Sequence, residues 1–254
     1  MRESQGGGRV LKTFSLTDIG KKRSMNQDFV YSSENPVGNL PNLFIVADGM
    51  GGHNGGGFAS AYAVEVIREF IENSKETNPG TLFPEAISVA NTKVREKAAE
   101  NAELSGMGTT VVMACVLNDT LYVANVGDSR LYVAGSELTQ ITVDHSYVEE
   151  MIKAGQLDRE SARTHENKNI ITRAVGAEET VEPDLFTLKL NPGDIILMCS
   201  DGLSNMLEDS AIALILKSGR DTAGRAEELV RAANENGGKD NIAVVVIEPF
   251  SEQK

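Results

Sequence analysis

Cysteine is scarce in this 254-residue chain: there are two, Cys115 in VVMACV and Cys199 in IILMCSD, both inside apolar runs. Two thiols cannot build a disulfide framework. Neither fits a cysteine nucleophile for phosphate esters, which needs an arginine shortly after the thiolate, because six positions on stand Leu121 and Asn205. Histidine is almost as rare, and His53, His145 and His165 follow no zinc spacing. Positive charge is short as well. Twenty-four Lys and Arg against 37 Asp and Glu give a net charge of -13, a field that repels nucleic acid and anionic lipid. No apolar run approaches the ~20 residues of a membrane helix, and a glycine tract stands where a secretory signal would carry its apolar centre. The expectation is a cytoplasmic, monomeric protein with no nucleic-acid or membrane partner.

No internal repeat and no low-complexity linker divides the chain. Residues 1–10 read as a disordered N-terminal tail and 11–250 as one domain, with enough apolar residues for a core. Apolar or alternating runs predict strands at 12–17, 29–32, 43–47, 109–117, 121–126, 131–134, 138–142, 185–190, 195–199 and 242–247. Helical spacing marks 58–73, 84–101, 146–154, 210–217 and 222–236. Helices in pairs, rather than one after every strand, argue for an α+β fold: two packed antiparallel β-sheets flanked by helix pairs.

Four aspartates stand at the edges of apolar strands: Asp48 in LFIVADGMGGH, Asp128 in LYVANVGDSR, Asp201 in IILMCSDG and Asp240 in GGKDNIAVVVI. One such residue is a turn or a helix cap. Four are an expected cluster at one edge of a sheet, where mutual repulsion raises their pKa values unless positive charge intervenes. Hard divalent cations prefer oxygen ligands, so the set points to Mg²⁺ or Mn²⁺ rather than Zn²⁺. The absence of a side chain at Gly49 lets its carbonyl approach such an ion. The alternative of a dinucleotide fold fails, since Asn54 breaks G-x-G-x-x-G and no Walker sequence is present.

In the order RSMNQD, VADGMGGH, GMGTT, NVGDSR, ITVDHS, NKNIITRAVG, CSDGLSN and GGKDNIAVVVI, the chain after Leu11 resembles the PP2C-type (PPM) metal-dependent Ser/Thr protein phosphatases in their compact bacterial form. The resemblance implies an αββα sandwich and hydrolysis of phosphoserine and phosphothreonine by a water shared between two Mn²⁺ or Mg²⁺ ions. It implies phosphorylated proteins and a bacterial Ser/Thr kinase as partners. Asp48 then matches the ligand bridging the two ions, Gly49 the carbonyl donor to the second, and Asp201 and Asp240 the ligands of the first. Asp128 matches a ligand of a third ion, shared with Asp201, and Asp28 an acidic position orienting metal-bound water. Arg23 matches the arginine on the substrate phosphate.

The chain departs from that pattern at three places. Gln27 stands where many relatives have glutamate, Met50 where eukaryotic members have a proton-donating histidine, and Asn205 where some relatives offer the third ion another aspartate. His53 is the loop histidine left nearby. His145 and His165 bracket a charged helical stretch resembling a mobile flap, and Arg173 is expected to support the loop between flap and core. The competing reading is a catalytically silent phosphoprotein-binding regulator of the same fold. A third is a phosphatase for small phosphomonoesters.

Overall fold

A strand that is apolar at every position has two dry faces, which places it inside a layered structure. The computed structural model describes residues 9–51 and 55–252; residues 1–8 of the expected tail, and His53, lie outside them, while Arg9 and Val10, also expected in the tail, pair with Glu252 and Ser251 as the start of the first strand. In β3 (Leu43–Met50), Leu43, Ile45 and Ala47 face one way and Phe44 and Val46 the other. In β11 (Ile242–Glu252), Val244 and Val246 face one way and Val245 and Ile247 the other. Period-2 alternation thus hands each strand to two separate cores.

One sheet runs β1 (Arg9–Asp18), β11, β10 (Ile195–Cys199), β7 (Arg130–Ala134), β8 (Leu138–Gln140). The other runs β2 (Asp28–Ser33), β3, β5 (Val111–Leu117), β6 (Thr120–Val126), β9 (Asp184–Lys189), with the short β4 (Gly108–Thr109) paired to the end of β3. The pairings are antiparallel. Phe44, Val46, Val112, Met198, Val245 and Ile247 fill the space between the sheets. Helices α1 (Gly55–Asn73) and α2 (Pro79–Glu100) cover the second sheet. Three more cover the first: α5 (Asp201–Ser204), α6 (Asp209–Leu216) and α7 (Thr222–Glu235). Between β8 and β9 lie α3 (Tyr147–Lys153) and α4 (Arg159–Thr164), within the stretch expected to form a flap. This is the expected α+β sandwich of two antiparallel sheets between helices.

Three differences from the sequence reading have physical causes. Helix α2 starts at Pro79 behind the N-cap Asn78, whose side chain accepts from Gly80 N–H, so Pro84 is an interior residue and not the first of the helix. The predicted strand 109–117 breaks at Thr110, where the backbone turns to bond Asp48. Asp48 lies within β3 rather than beyond its end, directly opposite Asp28 of β2.

Phe44 is fully buried between the sheets. Truncation to alanine leaves a cavity that the rigid sheets do not close, so Phe44→Ala is expected to lower unfolding free energy by ~3–5 kcal/mol, measured by urea denaturation. A loss under ~1 kcal/mol would contradict the inter-sheet core.

Candidate metal centre

The acidic residues meet at one end of the sandwich and come from both sheets, not from one sheet edge as the sequence suggested. Asp28 and Asp48 belong to the second sheet. Asp201 opens α5 after β10, Asp240 precedes β11, and Asp128 lies in the link from β6 to β7. Strand β10 ends at Cys199, and Ser200 is the N-cap of α5, so Asp201 is a first-turn residue and not a strand end.

Backbone and side-chain hydrogen bonds fix the segments that carry these carboxylates. The Asp48 backbone is clamped by GMGTT: its N–H donates to Thr110 Oγ1 at 2.9 Å, and its carbonyl accepts from Thr110 N–H and Thr109 Oγ1, each at 2.9 Å. Thr110 Oγ1 also meets Ser129 Oγ at 2.7 Å, tying the Asp48 strand to the residue after Asp128. Ser200 Oγ donates to Asp28 Oδ2 at 2.6 Å and accepts from Ala243 N–H, joining the two sheets under the centre. Buried Asn241 accepts from Gln27 N–H and donates to the carbonyls of Ile19 and Met25, so the loop carrying Arg23 is fixed to the residue beside Asp240. Sequence reading missed these partners, although the paired threonines of GMGTT and the asparagine of KDN were a signal of backbone clamping.

His145 serves Asp128. Its Nδ1 accepts from Gly127 N–H at 3.0 Å, and its Nε2 lies 3.1 Å from Asp184 Oδ2. Arg173 in turn donates to Asp184 and to the carbonyl of Glu182, the loop-supporting place expected for it. Burial pushes the His145 pKa down, which keeps the ring neutral and able to accept. His165 caps the end of α4 and accepts from Asn167 N–H.

The electrostatics are those of an anion cluster short of counter-charge. Burial first, then neighbouring carboxylates, raises Asp28 to about 7 and Asp201 to about 6. The same causes push Asp48 and Asp128 well above the usual carboxylate range. Asp28 Oδ1 is buried with no donor among the described residues; the Asp48 carboxyl beside it can share a proton but cannot donate when both are ionised. Arg130 is committed to Asp144. Arg23 Nη2 pairs with Asp240 Oδ2 at 2.7 Å and is half open to solvent.

Among the described residues no three acidic, imidazole or thiolate side chains already close on a single point. The orphan oxygen, the mutual repulsion and the all-oxygen donor set fit divalent ions, which Asp48, Asp201 and Asp240 could hold with Asp28 and Asp128 alongside. Gly49 is needed for a reason the sequence did not reveal: a Cβ there would lie 2.0 Å from Gly56 O, so glycine lets α1 pack against β3. Met50 packs over Gly108, where a Cβ would meet its terminal methyl. The outer edge differs again. Asn205 donates to Asp201 Oδ2 at 2.9 Å and accepts from Lys168 Nζ at 3.1 Å, beside a cleft of ≈ 720 Å³ between α3, α4 and the core.

Two antiparallel sheets between helices, open at one end onto such a centre, define a class: hydrolases that handle phosphate esters with divalent metals. The profile of the Protein phosphatase 2C family matches residues 20–244. The chain is 39% identical over 236 residues to protein phosphatase PhpP of Streptococcus pneumoniae, covering 91% of this chain and 95% of that one. The S. agalactiae serine/threonine phosphatase structure superposes with TM-score 0.87 at 37% identity, covering 94% and 99%. The catalytic domain of the serine/threonine phosphatase PstP, solved with 2 manganese ions, superposes with TM-score 0.84 at 31% identity, covering 96% and 100%. The chain belongs to the protein phosphatase 2C family and is a serine/threonine protein phosphatase.

In EDTA, between about pH 4 and pH 7, the folded chain retains protons on Asp28 and Asp201 that the unfolded chain has released. Their contribution to stability is therefore present at low pH and lost as pH rises through about 7. The Tm in EDTA is expected to fall from pH 5 to 7.5, and millimolar Mn²⁺ is expected to reduce that fall by favouring the ionised forms. A pH dependence identical with and without Mn²⁺ would contradict the assignment.

Proposed function

We propose that Asp48, Asp201 and Asp240, with the Gly49 carbonyl, hold two Mn²⁺ or Mg²⁺ ions for the hydrolysis of phosphoserine and phosphothreonine in proteins. The observation that carries this reading is the set of buried aspartates drawn together without enough cations of their own. Divalent ions there would supply Lewis acidity and an activated water for in-line attack. Asp28, fixed by Ser200, orients water and accepts a proton from it. Arg23, now on Asp240, swings to fork onto the phosphate oxygens and offsets charge as the ester bond breaks. Its exposure to solvent gives it that freedom. Met50 has no proton to give, so the proton for the leaving oxygen comes from water at the centre or from His53.

Asp128 and Asp201 could hold a third ion, which would bind more weakly than the core pair because Asn205 already occupies one Asp201 oxygen and Lys168 brings a positive charge close by. The enzyme acts as a cytoplasmic monomer on phosphoproteins made by a bacterial Ser/Thr kinase. Among the described residues no helix is long and apolar enough to cross a membrane.

Phosphate release from a phosphothreonine peptide is expected to require Mn²⁺ and to stop in EDTA. Asp201→Asn is expected to lower kcat/KM by at least ~100-fold with loss of Mn²⁺ affinity in calorimetry. Arg23→Ala is expected to lower kcat/KM by ~10- to 100-fold while Mn²⁺ affinity is kept. Undiminished turnover in EDTA or in Asp201→Asn would refute the mechanism.

A further inference from the structure

Three lysines lie on the two loops that carry Arg23 and Asp240. Lys21, Lys22 and Lys239 are exposed and have no carboxylate partner among the described residues, in a chain where most arginines are ion-paired. They are brought together by backbone. Lys21 N–H donates to Gly238 O at 2.7 Å, joining the loop of Arg23 to the loop of Asp240. The two loops touch without intervening side chains: Gly20 has φ +77°, and a Cβ on it would lie 2.2 Å from Asp240 O. Gly238, at φ +50°, is in the same left-handed region. With Asn241 holding Ile19, Met25 and Gln27, this lip is a firm platform. Lys22 adjoins Arg23, and Lys239 adjoins Asp240. Lys239 folds back over Gly237 beside Met206, on the Lys168 side of the centre.

A lysine retained as counter-charge for the aspartates would pair with one of them, and these three do not. A net charge of -13 makes most of the surface repel an acidic segment, so a lip of unpaired lysines offers such a segment local positive charge beside the centre. We propose that Lys21, Lys22 and Lys239 form a docking surface for acidic side chains flanking the phosphorylated residue. Phosphoproteins with Asp or Glu near the phosphoserine or phosphothreonine are then the preferred substrates. An extended peptide advances ~3.3 Å per residue, so the flanking positions to vary are the few residues on either side of the phosphorylated one. The inference rests on the phosphatase reading of the adjacent centre.

The test compares kcat/KM at low ionic strength for phosphothreonine peptides carrying Asp, Asn or Lys at those flanking positions, with a further peptide carrying phosphoserine there. p-Nitrophenyl phosphate, which has no flanks, is the control. Exposed contacts contribute about two- to fivefold each, so the wild type is expected to favour Asp over Asn by about tenfold, less at high salt. Lys21→Gln/Lys22→Gln and Lys239→Gln are each expected to reduce the preference while p-nitrophenyl phosphate turnover and Tm stay unchanged. Lys22→Glu is expected to shift it toward the Lys peptide. Equal kcat/KM for Asp and Asn peptides in the wild type, or a preference surviving in all variants, would overturn the proposal. A preference confined to the phosphoserine peptide would also overturn it, assigning the lip to phosphate rather than carboxylate. Absence of p-nitrophenyl phosphate turnover in the wild type would instead defeat the phosphatase reading itself.

Discussion

Repulsion among buried carboxylates is the constraint around which this molecule is organised. Asp28, Asp48, Asp128 and Asp201 each lose hydration and feel one another's charge, and both effects disfavour ionisation. A flexible chain would relieve that cost by letting the groups drift apart. The sandwich prevents it by fixing backbone rather than side chains. Asp48 is clamped by Thr109 and Thr110, Asp28 sits in register opposite it, and Ser200 links Asp28 to the other sheet. The energy for this arrangement comes from the apolar layers, where Phe44, Val46, Val245 and Ile247 gain what the polar end loses.

The same architecture explains the chain's departures from its relatives' pattern. Asn205 still bonds Asp201 but brings no charge, and Lys168 completes that contact from the segment after α4. Arg163 in α4 donates to the carbonyls of Ser204 and Leu207, so this segment is fastened to the C-terminal end of the helix that Asp201 opens. Movement of α4 and movement of Asp201 are therefore mechanically connected. Gly49 and Gly56 perform a related task on the other side, where their bare backbones allow α1 to rest against β3.

Much of this was legible in the residues. Runs such as those around Phe44 and Val245 announced strands with two buried faces, and the strand-edge aspartates announced an acidic centre. What escaped was set by distance in sequence. Nothing local shows that Ser200 reaches Asp28, 172 positions away, or that Asn241 holds the Arg23 loop. The assembly of the centre from both sheets followed from packing, not from any one strand. Helix α2 was read short because proline at 84 mimics a helix start, and α5 was hidden because one turn gives no periodicity.

The central claim is that Asp48, Asp201 and Asp240 share a pair of divalent ions. Anomalous diffraction from crystals soaked in Mn²⁺ addresses it directly. The account predicts two strong peaks about 3.5–4 Å apart among those three carboxylates, with Arg23 released from Asp240. Manganese bound elsewhere, or a saturating soak that leaves Arg23 on Asp240 and no peak between the aspartates, would contradict it.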